Sequence, residues 1–183
     1  MIEVVQGDIV HLRASAVVRP VSAEWDPVSG VARRIEIAAG TELLEHCQKL
    51  GELPVGSAVL TPAGELDADY IVHVIVRSVD EPVSEGSVYR GFQNALRRCV
   101  EWGIDSLAVP PLGTGAGNLD AEEAAAVMVP VLLEHMRDAD FPGSVAIVVE
   151  SEYEHDVFRH ELSRYDLPFL PAFPETTPGS EDG

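Results

Sequence analysis

The stretch from Pro110 to Asp120, Pro-Pro-Leu-Gly-Thr-Gly-Ala-Gly-Asn-Leu-Asp, carries the residue types most suited to holding an anion. Glycines at 113, 115 and 117 let a backbone approach a ligand closely and take up positive φ. The N–H groups of Gly113, Thr114, Gly115, Ala116, Gly117 and Asn118 can then converge on a phosphate. The helix expected to begin near Asp120 adds its positive end. Such a cradle needs no lysine, which suits a chain whose one lysine is Lys49. The other reading is structural: small residues also permit a sharp turn between a strand and a helix. A bare glycine alternation is weak evidence by itself. The loop lacks the Gly-Lys-Ser/Thr of a nucleotide-triphosphate loop, and Asn118 stands where a dinucleotide fingerprint has its third glycine.

Two further stretches offer chemical groups. Asp8 and Ile9 follow the first apolar run, in Gly-Asp-Ile-Val. The stretch Arg19 to Gly30, RPVSAEWDPVSG, brings together Arg19, Glu24, Trp25 and Asp26. The fork of Arg19 can pair with a phosphate or with one of many acids. Trp25 can stack on a ligand, cover a cleft or simply pack. Glu24 and Asp26 are the weak candidates for activating water, against the commoner role of solvated loop acids. Pro20 and Pro27 stiffen this stretch and each removes an N–H. His73 alternates within YIVHVIV and reads as a buried, hydrogen-bonded histidine. His155 and His160 have poor metal-ligand spacing, and Cys47 and Cys99 read as buried reduced thiols. No metal and no cofactor is expected.

Alternating patterns supply the elements that must position these groups. Residues 2–6, 15–18, 57–61, 70–76, 106–109 and 144–149 read as strands, the third and fourth as a pair joined by a turn. Helices are expected over 28–38, after Thr41 as N-cap with Gly51 as its stop, over 88–102, from Asp120 onward and over 153–165. Asp120 and Glu123 have capping-box spacing, and Pro130 is expected to kink that helix. Strands alternating with helices predict a three-layer α/β/α fold with a mixed, mostly parallel central sheet. Ligands collect beyond the carboxyl ends of such strands, where the three stretches above emerge.

The 183 residues suit one domain, taken as 1–165, followed by a Pro-rich acidic tail over 166–183 that is expected to be partly disordered. With 31 acidic and 12 basic residues the net charge is −19, a field that opposes any broad nucleic-acid surface. No run approaches the roughly 20 apolar residues of a membrane span. The N-terminus lacks a basic segment and an apolar signal core, so a cytoplasmic location is expected.

The chain resembles a macro domain, the ADP-ribose-binding α/β/α module, over about residues 1–165. The resemblance is carried by GDIV at 7–10, SGVARRIEIAAG at 29–40, LPVGSAVLTPAGELDADYIVHVIV at 53–76 and SLAVPPLGTGAG at 106–117. It implies that Asp8 receives the adenine amino group with Ile9 beside the base. It also implies that Gly30 and Val31 present N–H groups to the diphosphate, and that residues 113–117 wrap the diphosphate and distal ribose.

The departures are specific. Where the family has an Asn-Ala-Ala-Asn run, this chain has Arg19-Pro20-Val21-Ser22, and of the glycines before the first helix only Gly30 is left. The aspartate used by the hydrolytic branch falls at Ala32. The aromatic that packs on the distal ribose matches Gly117. Near Glu150 the family often places an aromatic for the adenine. The function this implies is binding of ADP-ribose or a related nucleotide diphosphate, free or on an ADP-ribosylated protein, by a monomer or homodimer without clear catalytic residues. The alternatives are an interaction scaffold with a degenerate pocket, or a hydrolase of ADP-ribosyl or ADP-ribose-phosphate substrates.

Overall fold

Six strands form one sheet in the order β1-β6-β5-β2-β4-β3. They are β1 (Ile2–Gln6), β2 (Ala16–Ser22), β3 (Ala58–Pro62), β4 (Tyr70–Arg77), β5 (Ser106–Val109) and β6 (Ser144–Val149). All neighbours run parallel except β3 and β4, which form the expected antiparallel pair. The computed structural model describes residues 1–115 and 118–165. Ala116, Gly117 and the tail at 166–183 therefore lie outside the described residues.

Helices α1 (Gly30–Ala39) and α2 (Glu42–Leu50) cover one face of the sheet. Helices α3 (Glu85–Trp102), α4 (Ala121–Asp138) and α5 (Glu152–Ser163) cover the other. Strand periodicity assigns the faces. Ala16 and Val18 of β2 join Phe92, Leu96, Met128 and Phe158 in the core under α3–α5. Val17 and Val21 join Ile35, Leu43 and Cys47 under α1 and α2. Period two then sends Arg19 to the α1 side as well. On β4 the same rule places His73, between Ile71 and Ile75, on that side.

Local signals set most boundaries. Ser29 caps α1 by accepting from the Ala32 amide, Ser84 and Ser151 close capping boxes, and Asp120 and Glu123 form the one expected from their spacing. α4 runs continuously through Pro130. Two expectations are corrected. Thr41 is in helical conformation at the N-cap of α2 and makes no side-chain cap bond. Strand β2 does not end at Val18 but continues through Arg19-Pro20-Val21 to Ser22, so four of the residues assigned to a loop belong to the sheet. β5 pairs with β2 only at Ala16 and Val17. Pro20 thus stands where β2 has lost that neighbour, the kind of sheet position that tolerates a missing donor.

Candidate functional site

The carboxyl ends of β1, β2, β5 and β6 lie around the N-terminus of α1. After β1, Asp8 opens a single 3-10 turn (Ile9–His11), and its carboxylate accepts from the Val10 amide at 3.2 Å. Ile9 is buried beneath it, while Asp8 itself faces solvent. At the start of α1, the Ala32 amide is taken by Ser29 Oγ at 3.0 Å and the Arg33 amide by the Ser29 carbonyl. The helix leaves the amides of Gly30 and Val31 without an internal acceptor. These are the two residues that the resemblance assigns to a diphosphate.

The glycine loop comes against this helix end. A β-carbon placed on Gly115 would stand 2.2 Å from Ser29 Cβ and 2.7 Å from Ser29 Cα, so only glycine permits the approach. Gly113 has φ +85° and its missing side chain makes room for Leu119, Val88 and Val83. The loop is closed by the Leu119 amide donating to the Gly113 carbonyl at 3.2 Å. Asn118 donates from Nδ2 to the Val83 carbonyl at 3.0 Å, so its amide group anchors the loop to the segment before α3. Thr114 is half-buried within the loop. Ala116 and Gly117, both expected to contact a ligand, lie outside the described residues.

Arg19 is not available to a phosphate. Its side chain is fully buried and forms an ion pair with Glu36 of α1. Its Nε donates to the Ala32 carbonyl at 3.2 Å, and its Nη1 lies 3.4 Å from His73 Nδ1. Arg19 carries no acceptor, so His73 Nδ1 accepts and the ring proton sits on Nε2. Nε2 is 2.8 Å from Thr61 Oγ1, whose hydroxyl donates to the Pro62 carbonyl at 3.2 Å. The chain of donors and acceptors is complete with a neutral imidazole. Burial, reinforced by the Arg19 charge, holds the His73 pKa well below 6.5. Burial also lowers the Arg19 pKa, against the opposing attraction of Glu36. His73 is the buried, hydrogen-bonded histidine expected from its strand position.

Trp25 packs rather than stacking on a ligand. It is 6% exposed, donates from Nε1 to the Gly51 carbonyl at 2.7 Å and meets the His73 ring edge-on at 5.5 Å. Its backbone is left-handed at φ +75°, in a turn held by the Trp25 amide to the Ser22 carbonyl and the Ser22 amide to the Asp26 carbonyl, both 2.9 Å. Those anchors compensate a conformation that a bulky residue seldom adopts. Glu24 and Asp26 flank this inward-pointing tryptophan, both exposed. Ala32, where the resemblance would put a catalytic aspartate, is completely buried.

One residue of the site was missed in the sequence. The guanidinium of Arg34 pairs with Glu150 after β6 and has Nε 3.8 Å from Asp8 Oδ1 after β1. Its Nη1 lies 3.8 Å from where a β-carbon on Gly30 would stand. Helical side chains lean toward the N-terminus, so a residue four positions after Gly30 reaches back over that end. This spacing was the available signal. Among the described residues, no group of three or more His, Cys, Asp or Glu is arranged to hold a metal ion.

Comparison with known proteins gives a consistent result. The family model described as Macro domain matches residues 18–128. An O-acetyl-ADP-ribose deacetylase from Escherichia fergusonii is 30% identical over 169 residues, covering 89% of this chain and 96% of that protein. An uncharacterized protein of Mycobacterium tuberculosis is 31% identical over 148 residues, and there the chain spans only 40% of the relative's length. A mutant of the Oceanobacillus iheyensis macrodomain solved with ADPR superposes with a TM-score of 0.80 at 25% identity, covering 89% of this chain and 92% of that one.

Proposed function

The chain belongs to the macro domain family, and from that premise we propose that it binds ADP-ribose or a related nucleotide diphosphate, free or attached to a protein. The observation that carries this reading is the contact of Gly115 with Ser29, which leaves no room for a side chain on the loop. A strand-to-helix turn by itself does not require its tip to press on a second helix. The contact brings the loop at Gly115 against the residue that caps α1, next to the first-turn amides of Gly30 and Val31, where a helix end favours an anion. Asp8 then receives the adenine amino group, with Ile9 under the base, and the loop of residues 113–117 takes the diphosphate and distal ribose.

The reading is of a binding module. Positioning a scissile bond is only half of hydrolysis, which also needs a group to activate water. Ala32 has no such group, Arg19 and His73 are committed to a closed internal network, and the Glu24 and Asp26 carboxylates stand on a turn whose tryptophan faces inward. The relative named as a deacetylase makes hydrolysis of O-acetyl-ADP-ribose the second reading.

Thermal melting with excess ligand tests the first. A ligand at about 100 times its Kd stabilises the fold by about 2.7 kcal/mol. A clear upward shift with ADP-ribose is expected, and the absence of any shift with ADP-ribose, ADP or AMP removes the reading. Turnover of O-acetyl-ADP-ribose by the wild-type chain, lost in Asp26→Ala, would replace it with the second.

A further inference from the structure

We infer that Arg34 is the counter-charge to the ligand's diphosphate, held in readiness by Asp8 and Glu150 and passed to the phosphates when a ligand enters. This rests on the binding function proposed above and concerns a residue that the resemblance assigns no role.

Two ion pairs hold the guanidinium near the start of α1. It pairs with Glu150 at the end of β6, reaches Asp8 at the end of β1, and lies over Gly30 at the first turn of α1. Asp8 and Gly30 are the residues expected at the adenine and diphosphate ends of the ligand. The guanidinium therefore sits beside the path between them. It is 40% exposed and Glu150 53%, so the clasp is open to solvent and either partner can turn away. An exposed ion pair of this kind is held weakly, and exchanging one anion for another involves little reorganisation.

The need for such a charge follows from the rest of the molecule. A chain with net charge −19 repels a diphosphate at long range. Backbone amides give directional hydrogen bonds but only partial charges. Arg19 faces inward and is neutralised by Glu36, so it contributes nothing at the mouth. Arg34 supplies a full charge on a planar fork suited to phosphate oxygens. While the site is empty, Asp8 and Glu150 keep that fork over Gly30. When a diphosphate arrives, its oxygens displace the Glu150 carboxylate, which returns to solvent. Glu150 is thus a competitor for Arg34, and it occupies the region where the family often has an aromatic residue.

Calorimetric titration of ADP-ribose into wild type, Arg34→Gln, Arg34→Lys and Glu150→Gln tests this. Loss of a charged hydrogen-bonding partner is expected to weaken binding about tenfold or more in Arg34→Gln. Arg34→Lys keeps the charge without the fork and should lose less affinity than Arg34→Gln. Glu150→Gln removes the competitor and should bind at least as tightly as wild type. Wild-type affinity should fall with added salt more steeply than that of Arg34→Gln. Unchanged or tighter binding by Arg34→Gln overturns the inference, since the guanidinium would then be only an obstruction. Equal losses in Arg34→Gln and Arg34→Lys, or weakened binding in Glu150→Gln, overturn it too, because packing and not charge would be at work. A wild-type chain that binds neither ADP-ribose nor ADP removes the proposed function itself. Wild-type binding matched by Arg34→Gln removes only the role of Arg34.

Discussion

Gly115 and Ser29 approach so closely that a β-carbon on the glycine would stand 2.2 Å from the serine's own. The loop after β5 and the cap of α1 thereby become one surface, although 86 positions separate them in the chain (115 − 29). The approach has a direct consequence for binding.

Gly115→Ala forces the loop or the cap to move, because the added methyl meets Ser29 Cα as well as its side chain. Overpacking of this kind costs roughly 1–3 kcal/mol. Since Gly115 is exposed, the loop gives way before the fold does. The variant should remain folded by circular dichroism while its melting temperature shifts much less than wild type's with saturating ADP-ribose. A full shift would show that the close approach does not shape the site.

The buried ion pair between β2 and α1 should dominate local stability. Glu36→Ala leaves the fully buried Arg19 guanidinium without its counter-ion, a class of change that costs roughly 3–5 kcal/mol. Replacing both partners, Arg19→Met with Glu36→Leu, removes the uncompensated charge and should recover most of the loss. Urea denaturation of the two single variants and the double variant measures this. A double variant no more stable than Glu36→Ala would mean the pair is not the source of the effect.

His73 makes stability depend on pH with a defined sign. Its folded pKa lies well below 6.5, so as pH falls the unfolded chain takes up this proton first. The contribution is complete above the unfolded value and is lost as pH drops through it toward the folded one. Stability should therefore fall as the solution is made acid through about pH 6.5. His73→Gln, which keeps polar atoms near Arg19 and Thr61, should flatten that slope. An identical slope in wild type and variant would remove His73 as its cause.

The thiols should be inert in the native chain. Cys47 and Cys99 are free and buried, and burial raises their pKa values to about 11 and about 12. Little thiolate is present at neutral pH, and neither sulfur is accessible. A disulfide reagent should find no fast-reacting thiol in native protein and two after denaturation, matching the two cysteines in the sequence. Rapid reaction of Cys47 would mean that the layer under α2 opens readily.

How much of this was written in the sequence differs between elements and contacts. Period-two and period-3.6 patterns located the strands and helices, because burial of one face is a local property that each segment carries alone. β1, β5 and β6 match their apolar runs residue for residue, and the Asp120–Glu123 box formed where its spacing required. The glycine loop was legible too, since alternating glycines mark a backbone that must come close to something. What it comes close to was not. Arg19 read equally as a phosphate ligand or a surface ion pair, and is neither, because β2 continues to Ser22 and turns that side chain under α1 onto Glu36 and His73. Trp25 read as a possible lid and is a packed side chain, fixed by the Gly51 carbonyl and the His73 ring. Arg34 reaches Glu150 across 116 positions only because β1 and β6 are neighbours in the sheet. Hydrophobic pattern determines which segments become strands and helices. The partners of a charged side chain depend on strand order and helix placement, and those are decided only when the whole sheet assembles.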